Sequence, residues 1–408
     1  MNVLHIIPSM SLSSGGTSQG IRNIIPELEK LGIRNEVVCL DGEMETAQVN
    51  DSFVINALGP TKSPWCYSSK LIPWLINNFN RFDVIIVNAL WLYHGYAFNK
   101  ALKQYKKSLA GKSDSSNYPA FFVMPHGMLD PYFQQAKERK LKAIRNWFYW
   151  KLIESKLINN ANGLLFTCKT ELLLARKSFR PYHPKKEINI GYGAQLPPAF
   201  IAAMADAFYE QCPQVKNAPF MLFISRIHEK KGVDLLLKAY KNLVDKTIIH
   251  NKQHTDKLLV QKLVIAGPGL ETAYGVQMQQ LIMDNELQDT VYFSGMLAGD
   301  AKWGAFYQSE AFILPSHQEN FGIAVVEALA CGKPVLISNQ VNIWSEIKEA
   351  GAGFVEKDTI EGTENLLKSW QLLSTENKNN MSNKAVQCFK NNFSIEIAAK
   401  KFKDLVIG

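Results

Sequence analysis

Residues 311–338, AFILPSHQENFGIAVVEALACGKPVLIS, contain one complete strand–turn–helix–strand unit. AFILP predicts a buried strand, and SHQEN predicts the turn at its carboxyl end. FGIAVVEALACG predicts a helix that Gly332 closes at its C-terminus, and PVLIS predicts the next strand. A strand, a helix and a second strand in this order are typical of a parallel sheet.

The same alternation of strands and helices runs along the whole chain. Strands are predicted in the first half at NVLHII, EVVCL, DVIIVNAL, AFFVMP and GLLFT, and after residue 197 at PFMLFIS, KLVIAG, TVYFSG, AFILP, PVLIS and GFV. Their apolar runs lack in/out alternation, which predicts strands covered on both faces. Two such series indicate an α/β protein with two doubly wound, Rossmann-like domains.

Length and proline positions suggest where these domains divide. The chain has 408 residues, too many for one core. We predict an N-terminal domain over 1–197, a proline-containing linker over 198–218 and a C-terminal domain over 219–390. The last segment, 391–408, predicts an amphipathic helix that could pack back against the N-terminal domain.

Composition excludes several classes of protein. The chain is 47% hydrophobic and 20% charged, as in ordinary globular proteins, and its six cysteines are too scattered for a zinc ribbon or a CxxC redox pair. These features favour a reduced cytoplasm. We expect no membrane-spanning segment, because no apolar run approaches about 18 residues. The N-terminal segment lacks a basic region and predicts a strand rather than a signal peptide.

Two glutamates, Glu319 and Glu327, flank the start of the helix that follows AFILP. Ligands of open α/β sheets bind at this carboxyl edge. Eight residues of helix span roughly 10–12 Å, whereas the paired carboxylates of a retaining glycosidase lie about 5–5.5 Å apart. The spacing favours two carboxylates that grip separate hydroxyls of one long ligand. The alternative, a helix-capping Glu319 and a solvent-facing Glu327, fits poorly with the apolar neighbours of Glu327.

Two cations lie in the turn of FISRIHEKKGVDLLLKAY, residues 223–240. Arg226 and Lys231 follow a strand, and Gly232 precedes the next helix. A guanidinium and an ammonium at the carboxyl end of a strand can clamp a diphosphate. Solvated loop cations are the alternative, which the neighbouring glutamates make less attractive.

Weaker signals follow other strands. Gly15 and Gly16, in SLSSGGTSQGIRNII, allow close approach of a ligand to the backbone but do not form the dinucleotide-binding GxGxxG pattern. A single histidine is more often structural, but His126, in PHGMLDPY, stands at a strand end, which favours a functional role. Gly267, Gly269 and Gly295 also follow strands.

Together, SRIHEKKG, VIAGPG, VYFSGML and PSHQENFGIAVVEALACGKPV resemble family 4 retaining glycosyltransferases, which have the GT-B fold. The glycine turn at 15–16 and PHGMLDP agree, so the resemblance covers nearly the whole chain. It implies two Rossmann-like domains facing across a cleft. It also implies transfer of a sugar from a nucleotide-diphosphate sugar to a saccharide or lipid-linked acceptor, in exopolysaccharide, lipopolysaccharide or capsule synthesis. No metal and no further cofactor is expected.

The resemblance also implies roles for residues of the C-terminal half. Arg226 and Lys231 would bind the diphosphate and stabilise the leaving group, and Glu327 would bind the ribose hydroxyls. Glu319 would hold the donor sugar. The backbone amides of the next three residues would also hold the donor sugar, and these residues would open the helix. They are Asn320, Phe321 and Gly322. Many relatives have glycine at the position of Asn320, but asparagine tolerates left-handed backbone well.

Three further roles follow from the resemblance. Gly15 and Gly16 would approach the donor phosphate and the acceptor. His126 would lie beside the reacting sugar. Its side chain would position that sugar and stabilise charge there. Met296 would frame the base through its backbone.

Two other functions remain open. A nucleotide-sugar epimerase of the same fold would convert the donor without an acceptor, and a degenerate subunit would bind nucleotide sugar without turnover. The intact Arg226, Lys231, Glu319 and Glu327 argue against the degenerate subunit. The epimerase would carry further carboxylates near the sugar, and the sequence singles out none.

A basic, aromatic segment occupies residues 136–158, AKERKLKAIRNWFYWKLIESKLI. Residues 131–160 carry a net charge of +5. This composition is typical of an interfacial helix that binds anionic lipid at the inner face of the plasma membrane. Alternatively, its apolar residues at helical spacing pack into the core. Nucleic acid is not an expected partner, because no nucleic-acid-binding motif accompanies the charge.

Overall fold

The computed structural model describes residues 1–11, 15–46, 50–61, 63–110, 118–135 and 140–407. These residues form two compact units. One unit contains Met1–Gly193 together with Ile395–Gly408, and the other contains Ala194–Ser394.

The N-terminal unit is built on a parallel seven-stranded sheet. Its strands are β1 Asn2–Ile6, β2 Arg34–Cys39, β3 Val54–Ala57, β4 Val84–Asn88, β5 Ala120–Met124, β6 Gly163–Phe166 and β7 Glu187–Asn189, in the order β3-β2-β1-β4-β5-β6-β7. The sequence predicted five of these strands. The two it missed, β3 and β7, are the edge strands, and they are too short and too exposed to give a continuous apolar run.

Helices connect these strands. They are α1 Gly16–Lys30, α2 Glu43–Thr46, α3 Leu71–Asn78, α4 Tyr93–Leu109, α5 Tyr132–Gln135, α6 Lys140–Tyr149, α7 Ser155–Asn160 and α8 Lys169–Ser178. A wide helical turn over Trp150–Glu154 joins α6 to α7. Every residue of β4 is buried, as expected for a strand covered on both faces.

The C-terminal unit is built on a parallel six-stranded sheet. Its strands are β8 Phe220–Ile224, β9 Lys262–Ala266, β10 Val291–Gly295, β11 Ala311–Leu314, β12 Val335–Ser338 and β13 Gly353–Glu356, in the order β10-β9-β8-β11-β12-β13. All six were predicted from the sequence. The helices are α9 Ala202–Gln211, α10 Val233–Gln253, α11 Ala273–Asp284, α12 Gly299–Gln308, α13 Ile323–Ala330, α14 Trp344–Ala350, α15 Ile360–Gln371 and α16 Thr375–Cys388.

The segment 198–218, predicted as a linker, contains α9. Its Met204 and Phe208 are buried, and α9 packs against α12 at Gly304, where a Cβ would lie 3.0 Å from the Cβ of Phe208. The segment therefore contributes to the core of the C-terminal unit. The chain passes between the units at 193–194 and returns at 394–395, where α17 Ile395–Phe402 joins the core of the N-terminal unit through Ala399 and Phe402.

Each sheet has one point at which the strand order reverses. In the N-terminal sheet it lies between β1 and β4, and in the C-terminal sheet between β8 and β11. Loops that leave two such neighbouring strands diverge to opposite sides and open a crevice at the carboxyl edge. The predicted site residues of the C-terminal unit must therefore be sought in the loops after β8 and β11.

Candidate active site

The loops after β8 and β11 are fastened to each other through the backbone around Gly232. This glycine has a left-handed φ of 69°, and a Cβ there would collide with the carbonyl oxygen of Pro315. The carbonyl of Lys230 accepts hydrogen bonds from the amide of His317 and the hydroxyl of Ser316, both at 2.9 Å. These contacts fix the position of the two loops relative to each other.

The fixed position of these two loops brings two of the predicted site residues into contact. The Nζ of Lys231 donates to the Oε2 of Glu319. Both side chains are largely buried, with exposed fractions of 9% and 21%. The loop of Glu319 is further fixed against residues 340–342, because its amide donates to Gln340 and its carbonyl accepts from Asn342. Residues 88 positions apart in the sequence therefore form a single buried ion pair.

Arg226 lies on the loop after β8 and is exposed. Its neighbour Ile227 is buried and anchors the loop, because its amide donates to Pro268 at 2.8 Å. A Cβ on Gly269 would lie 2.6 Å from the carbonyl oxygen of Ile227, so only glycine permits this approach. Within the described ranges the Arg226 guanidinium makes no ion pair, and its charge is available to an anion.

Glu327 does not face open solvent. Its side chain is 17% exposed and accepts a hydrogen bond from the Nζ of Lys302 on α12 at 2.8 Å. The solvent-facing alternative for Glu327 is therefore wrong. Sequence reasoning missed Lys302, because nothing in GDAKWG distinguishes this lysine until α12 packs beside α13.

The segment 320–322 forms the approach to α13, not its first turn. The helix begins at Ile323, and Gly322 caps it with a φ of 76°. The expectation that the amides of Asn320, Phe321 and Gly322 open the helix is corrected accordingly. Phe321 is buried and packs edge-on against Phe393, with ring centroids 5.8 Å apart. Apolar packing fixes this segment, and the Asn320 Oδ1 accepts a long hydrogen bond of 3.4 Å from Asn342.

Met296 follows β10 and is 71% exposed, in contrast to the buried Leu297. The turn after this strand adopts left-handed backbone at Gly295, with a φ of 73°. Gly267 at the end of β9 donates its amide to the Gly295 carbonyl at 2.8 Å. The loops after β8, β9, β10 and β11 therefore form one connected carboxyl edge.

In the N-terminal unit, Gly15 and Gly16 start α1. Gly15 caps the helix with a left-handed φ of 77°, and a Cβ there would meet nothing within 4 Å. Gly15 is therefore required for its backbone conformation. The Tyr192 hydroxyl donates to the Gly16 carbonyl at 2.5 Å. Residues 12–14 of the predicted glycine turn lie outside the described residues.

His126 follows β5 in a left-handed conformation, with a φ of 51°. Its Nε2 lies 3.0 Å from the Oδ1 of Asn88, which ends β4. The ring borders a mostly apolar cavity of about 30 Å³ that His5, Asn88 and Tyr192 also line. This volume holds about one water molecule and no sugar ring.

The protonation of His126 follows from its surroundings. Burial, and secondarily the neighbouring His5, lower the pKa of His126 to about 3. The imidazole is therefore neutral at pH 7 and can donate or accept hydrogen bonds. It carries no full positive charge with which to stabilise a leaving group.

Residues 207–387 match the family model described as glycosyl transferases group 1. The match covers most of the C-terminal unit and less than half of the chain. This unit is thus similar to the glycosyl transferases of group 1, as the motifs after β8 and β11 predicted.

Curated relatives of this chain include a lipopolysaccharide 1,2-N-acetylglucosaminetransferase of Salmonella typhimurium. The identity is 20%, over 98% of this chain and 97% of the relative. A D-inositol 3-phosphate glycosyltransferase of Kineococcus radiotolerans is 28% identical over 36% of this chain. That match spans 32% of the relative, and a match to an uncharacterized glycosyltransferase of Methanocaldococcus jannaschii spans 36%. The chain therefore matches about a third of the length of these two relatives.

Several solved structures share the fold over the whole chain. A glycosyltransferase from Rickettsia africae superposes with a TM-score of 0.73 at 16% identity, covering 100% of this chain and 97% of its own. HepE of Anabaena, in complex with UDP and glucose, gives 0.70 at 16% identity, covering 100% and 99%. These likenesses confirm the predicted GT-B fold.

In the described residues, no three histidine, cysteine, aspartate or glutamate side chains group as metal ligands would. No helix of the described chain is both long enough and apolar enough to cross a bilayer.

Proposed function

We propose that this protein is a retaining, metal-independent glycosyltransferase that takes its sugar from a nucleotide-diphosphate sugar. The acceptor is a saccharide or a lipid-linked saccharide, and the product belongs to a surface polysaccharide such as lipopolysaccharide, capsule or exopolysaccharide. The observation that carries the proposal is the buried Lys231–Glu319 pair at the strand-order reversal of the C-terminal sheet. A relative that builds lipopolysaccharide and a structural neighbour that holds UDP and glucose support it.

The ion pair explains how the site remains stable before the donor arrives. A buried charge without a partner costs several kcal/mol, on the order of 3–5. Lys231 and Glu319 neutralise each other in the free protein. When a donor binds, its diphosphate replaces Glu319 as the partner of Lys231, and the freed carboxylate accepts hydrogen bonds from sugar hydroxyls. Both charges are thus ion-paired in the free protein, and in the bound state Lys231 is ion-paired while Glu319 is hydrogen-bonded.

The same residues account for the chemistry. Cleavage of the anomeric C–O bond leaves negative charge on the departing diphosphate and an oxocarbenium-like sugar. Arg226 and Lys231 stabilise the departing charge from fixed positions, which is the largest single contribution in many enzymes. They supply the positive charge that a metal ion supplies elsewhere. The amides of 320–322 and Glu319 hold the sugar, and His126, being neutral, is given no charge-stabilising role.

In this proposal Glu327 binds the ribose hydroxyls. These hydroxyls replace Lys302 as the partner of the Glu327 carboxylate. Met296 frames the base through its backbone. The protein acts in the cytoplasm and reaches a lipid-linked acceptor by peripheral contact with the membrane through residues 136–158, of which 136–139 lie outside the described residues.

Incubation with UDP-, GDP-, ADP- and dTDP-linked sugars tests this function. A transferase releases free nucleoside diphosphate when an acceptor is present, and the anomeric configuration of the product, measured by NMR, must match that of the donor. Turnover should be unchanged by a metal chelator. Lys231→Ala and Glu319→Ala should each lower turnover by about 100- to 1,000-fold.

Lys238→Ala serves as the matched control, because Lys238 is an exposed lysine of α10 with only a 3.9 Å contact to Asp234. Its turnover should equal that of the unaltered protein. An isomerised donor without nucleotide release would instead identify an epimerase, and binding without either product would identify a non-catalytic subunit.

A further inference from the structure

The apolar residues of α6 do not face the core. Its buried positions are Asn146 and, in the wide turn that follows, Trp150. The opposite face exposes a row of large apolar side chains, here called the apolar stripe: Leu141 at 84%, Ile144 at 56%, Phe148 at 56% and Leu152 at 68%. Spacings of three or four residues place them on one side of the helix. The core-facing alternative is therefore wrong for these four residues, whereas Trp150, Leu157 and Ile158 of the same segment are buried in the core.

A groove of about 900 Å³ adjoins the apolar stripe and shares Leu152 with it. We call it the lysine groove. Six exposed lysines line it: Lys100, Lys103, Lys106, Lys107, Lys156 and Lys185. No acidic residue lines it, and none of the six lysines forms an ion pair in the part of the chain that the structure describes.

The arrangement of these lysines is regular. Lys100, Lys103 and Lys107 recur at three- and four-residue intervals along α4, and Lys156 comes from α7. The Nζ of Lys106 lies 3.7 Å from the ring centroid of Tyr118, a cation–π contact. Like charges at this density repel one another and create a positive electrostatic potential in the groove. Binding of an anionic partner would reduce this repulsion.

The two features together favour one kind of partner. A polyanion such as nucleic acid would neutralise the lysine groove but would leave the apolar stripe in water. A bilayer with anionic headgroups satisfies both, because acyl chains accept the apolar side chains and phosphates accept the ammonium groups. Lysine suits a phosphate that it meets as a point charge rather than in a fixed bidentate geometry.

We propose that the apolar stripe and the lysine groove form one docking surface for an anionic phospholipid bilayer. The stripe lies in the headgroup–acyl boundary, and the groove takes the phosphates of the lipids beside it. This inference rests on the membrane contact proposed above and extends it to α4, which the sequence did not implicate.

Flotation of the full chain with phosphatidylcholine vesicles, with and without phosphatidylglycerol, tests the proposal. The unaltered protein should bind the anionic vesicles, and added salt should weaken the binding. Lys103→Gln combined with Lys107→Gln should lower partition onto anionic vesicles by roughly 25-fold at low ionic strength. Leu141→Ser combined with Phe148→Ser should lower it at every salt concentration.

Two control variants lie on the C-terminal unit. Lys238→Gln removes an exposed lysine, and Met283→Ser removes an apolar side chain that is 61% exposed. Both should float like the unaltered protein. All variants should release nucleoside diphosphate normally with a water-soluble acceptor, so a fault in the proposed chemistry would show there and not in flotation.

Three results would overturn the docking surface. The first is equal binding to neutral and anionic vesicles. The second is lysine-dependent binding to duplex DNA in place of vesicles. The third is a dimer in sedimentation that Phe148→Ser dissociates, without any vesicle binding, since the stripe would then be an interface between copies of the chain.

Discussion

The carbonyl oxygen of Pro315 occupies the space that a Cβ on Gly232 would need. Gly232 directly follows Lys231, and Pro315 lies four residues before Glu319. The missing side chain therefore sets the approach of the two loops, and this approach sets the contact between Lys231 and Glu319. A backbone position with no chemistry of its own thus determines the geometry of the candidate active site.

Gly232→Ala should therefore damage both stability and activity. Left-handed backbone costs a residue with a Cβ about 1–2 kcal/mol, and the collision adds about 1–3 kcal/mol. Gly295→Ala is the matched control, because Gly295 has a similar φ of 73° but open space around its Cβ position. Urea unfolding should show the larger loss for Gly232→Ala, and donor turnover should fall in that variant. Equal losses of stability would contradict the role of the Pro315 contact.

The predictable part of the site is the part that sheet topology dictates. Arg226, Lys231 and Glu319 each follow a predicted strand directly, and parallel strands bring their carboxyl ends to one edge. The Glu327–Lys302 pair was not predictable, because it depends on how α12 and α13 pack side by side. Strand-end positions are encoded locally, whereas contacts between helices depend on the finished core.

The apolar stripe of α6 gives a second example. A 3.6-residue period identifies which side chains share a face, but it does not reveal whether another element covers that face. Trp150 and Glu154 are buried on the opposite side, where the chain widens into a turn that shifts the helical phase. The sequence alone left core and membrane equally plausible for Leu141 and Phe148.

Glu327→Gln should separate ribose binding from phosphate binding. A charged hydrogen bond contributes about 1.5–3 kcal/mol, so the affinity for a nucleoside diphosphate should fall roughly 10- to 100-fold. The affinity for inorganic diphosphate should not change, because Arg226 and Lys231 remain. Calorimetric titration with both ligands measures this difference. Glu364→Gln, which alters a surface pair with Lys246, is the control; a loss of diphosphate affinity in Glu327→Gln would contradict the ribose assignment.

Acid should destabilise the N-terminal unit through His5. Burial lowers the pKa of His5 to about 4, below its ordinary value near 6.5. The neutral ring therefore contributes stability that is fully present above pH 6.5 and is lost as the pH falls toward 4. At pH 5 the loss amounts to about 2 kcal/mol.

Urea unfolding between pH 7 and pH 5 measures this loss. His5→Gln should reduce the pH dependence, since it removes a proton-binding group that only the unfolded chain exposes. His228→Gln should leave the dependence unchanged, because His228 is exposed. If both variants retain the full slope, the acid sensitivity comes from other groups.

The buried carboxyl of Glu154 should make the folded protein less stable as the pH rises. The Oε1 of this buried residue accepts a hydrogen bond of 2.8 Å from the Trp91 amide, and its Oε2 contacts no donor among the described residues. Burial raises the pKa of Glu154 from 4.5 to about 8. The folded chain thus keeps the carboxyl protonated where the unfolded chain ionises it. Its contribution is fully present below pH 4.5 and is lost as the pH rises to 8.

Glu154→Gln should abolish this pH-dependent loss of stability, because a glutamine side chain does not ionise. Its amide oxygen still accepts the hydrogen bond from the Trp91 amide, and the left-handed φ of 71° at Trp91 needs that support. The variant should exceed the unaltered protein in stability by at most about 3 kcal/mol at pH 7, and should match it near pH 4.5. Thermal unfolding across this range measures the difference. Glu27→Gln, at a surface pair with Lys30, should show no such trend. A Glu154→Gln variant that is less stable than the unaltered protein at pH 8 would show that the carboxylate is ionised in the fold, with a donor that keeps it so.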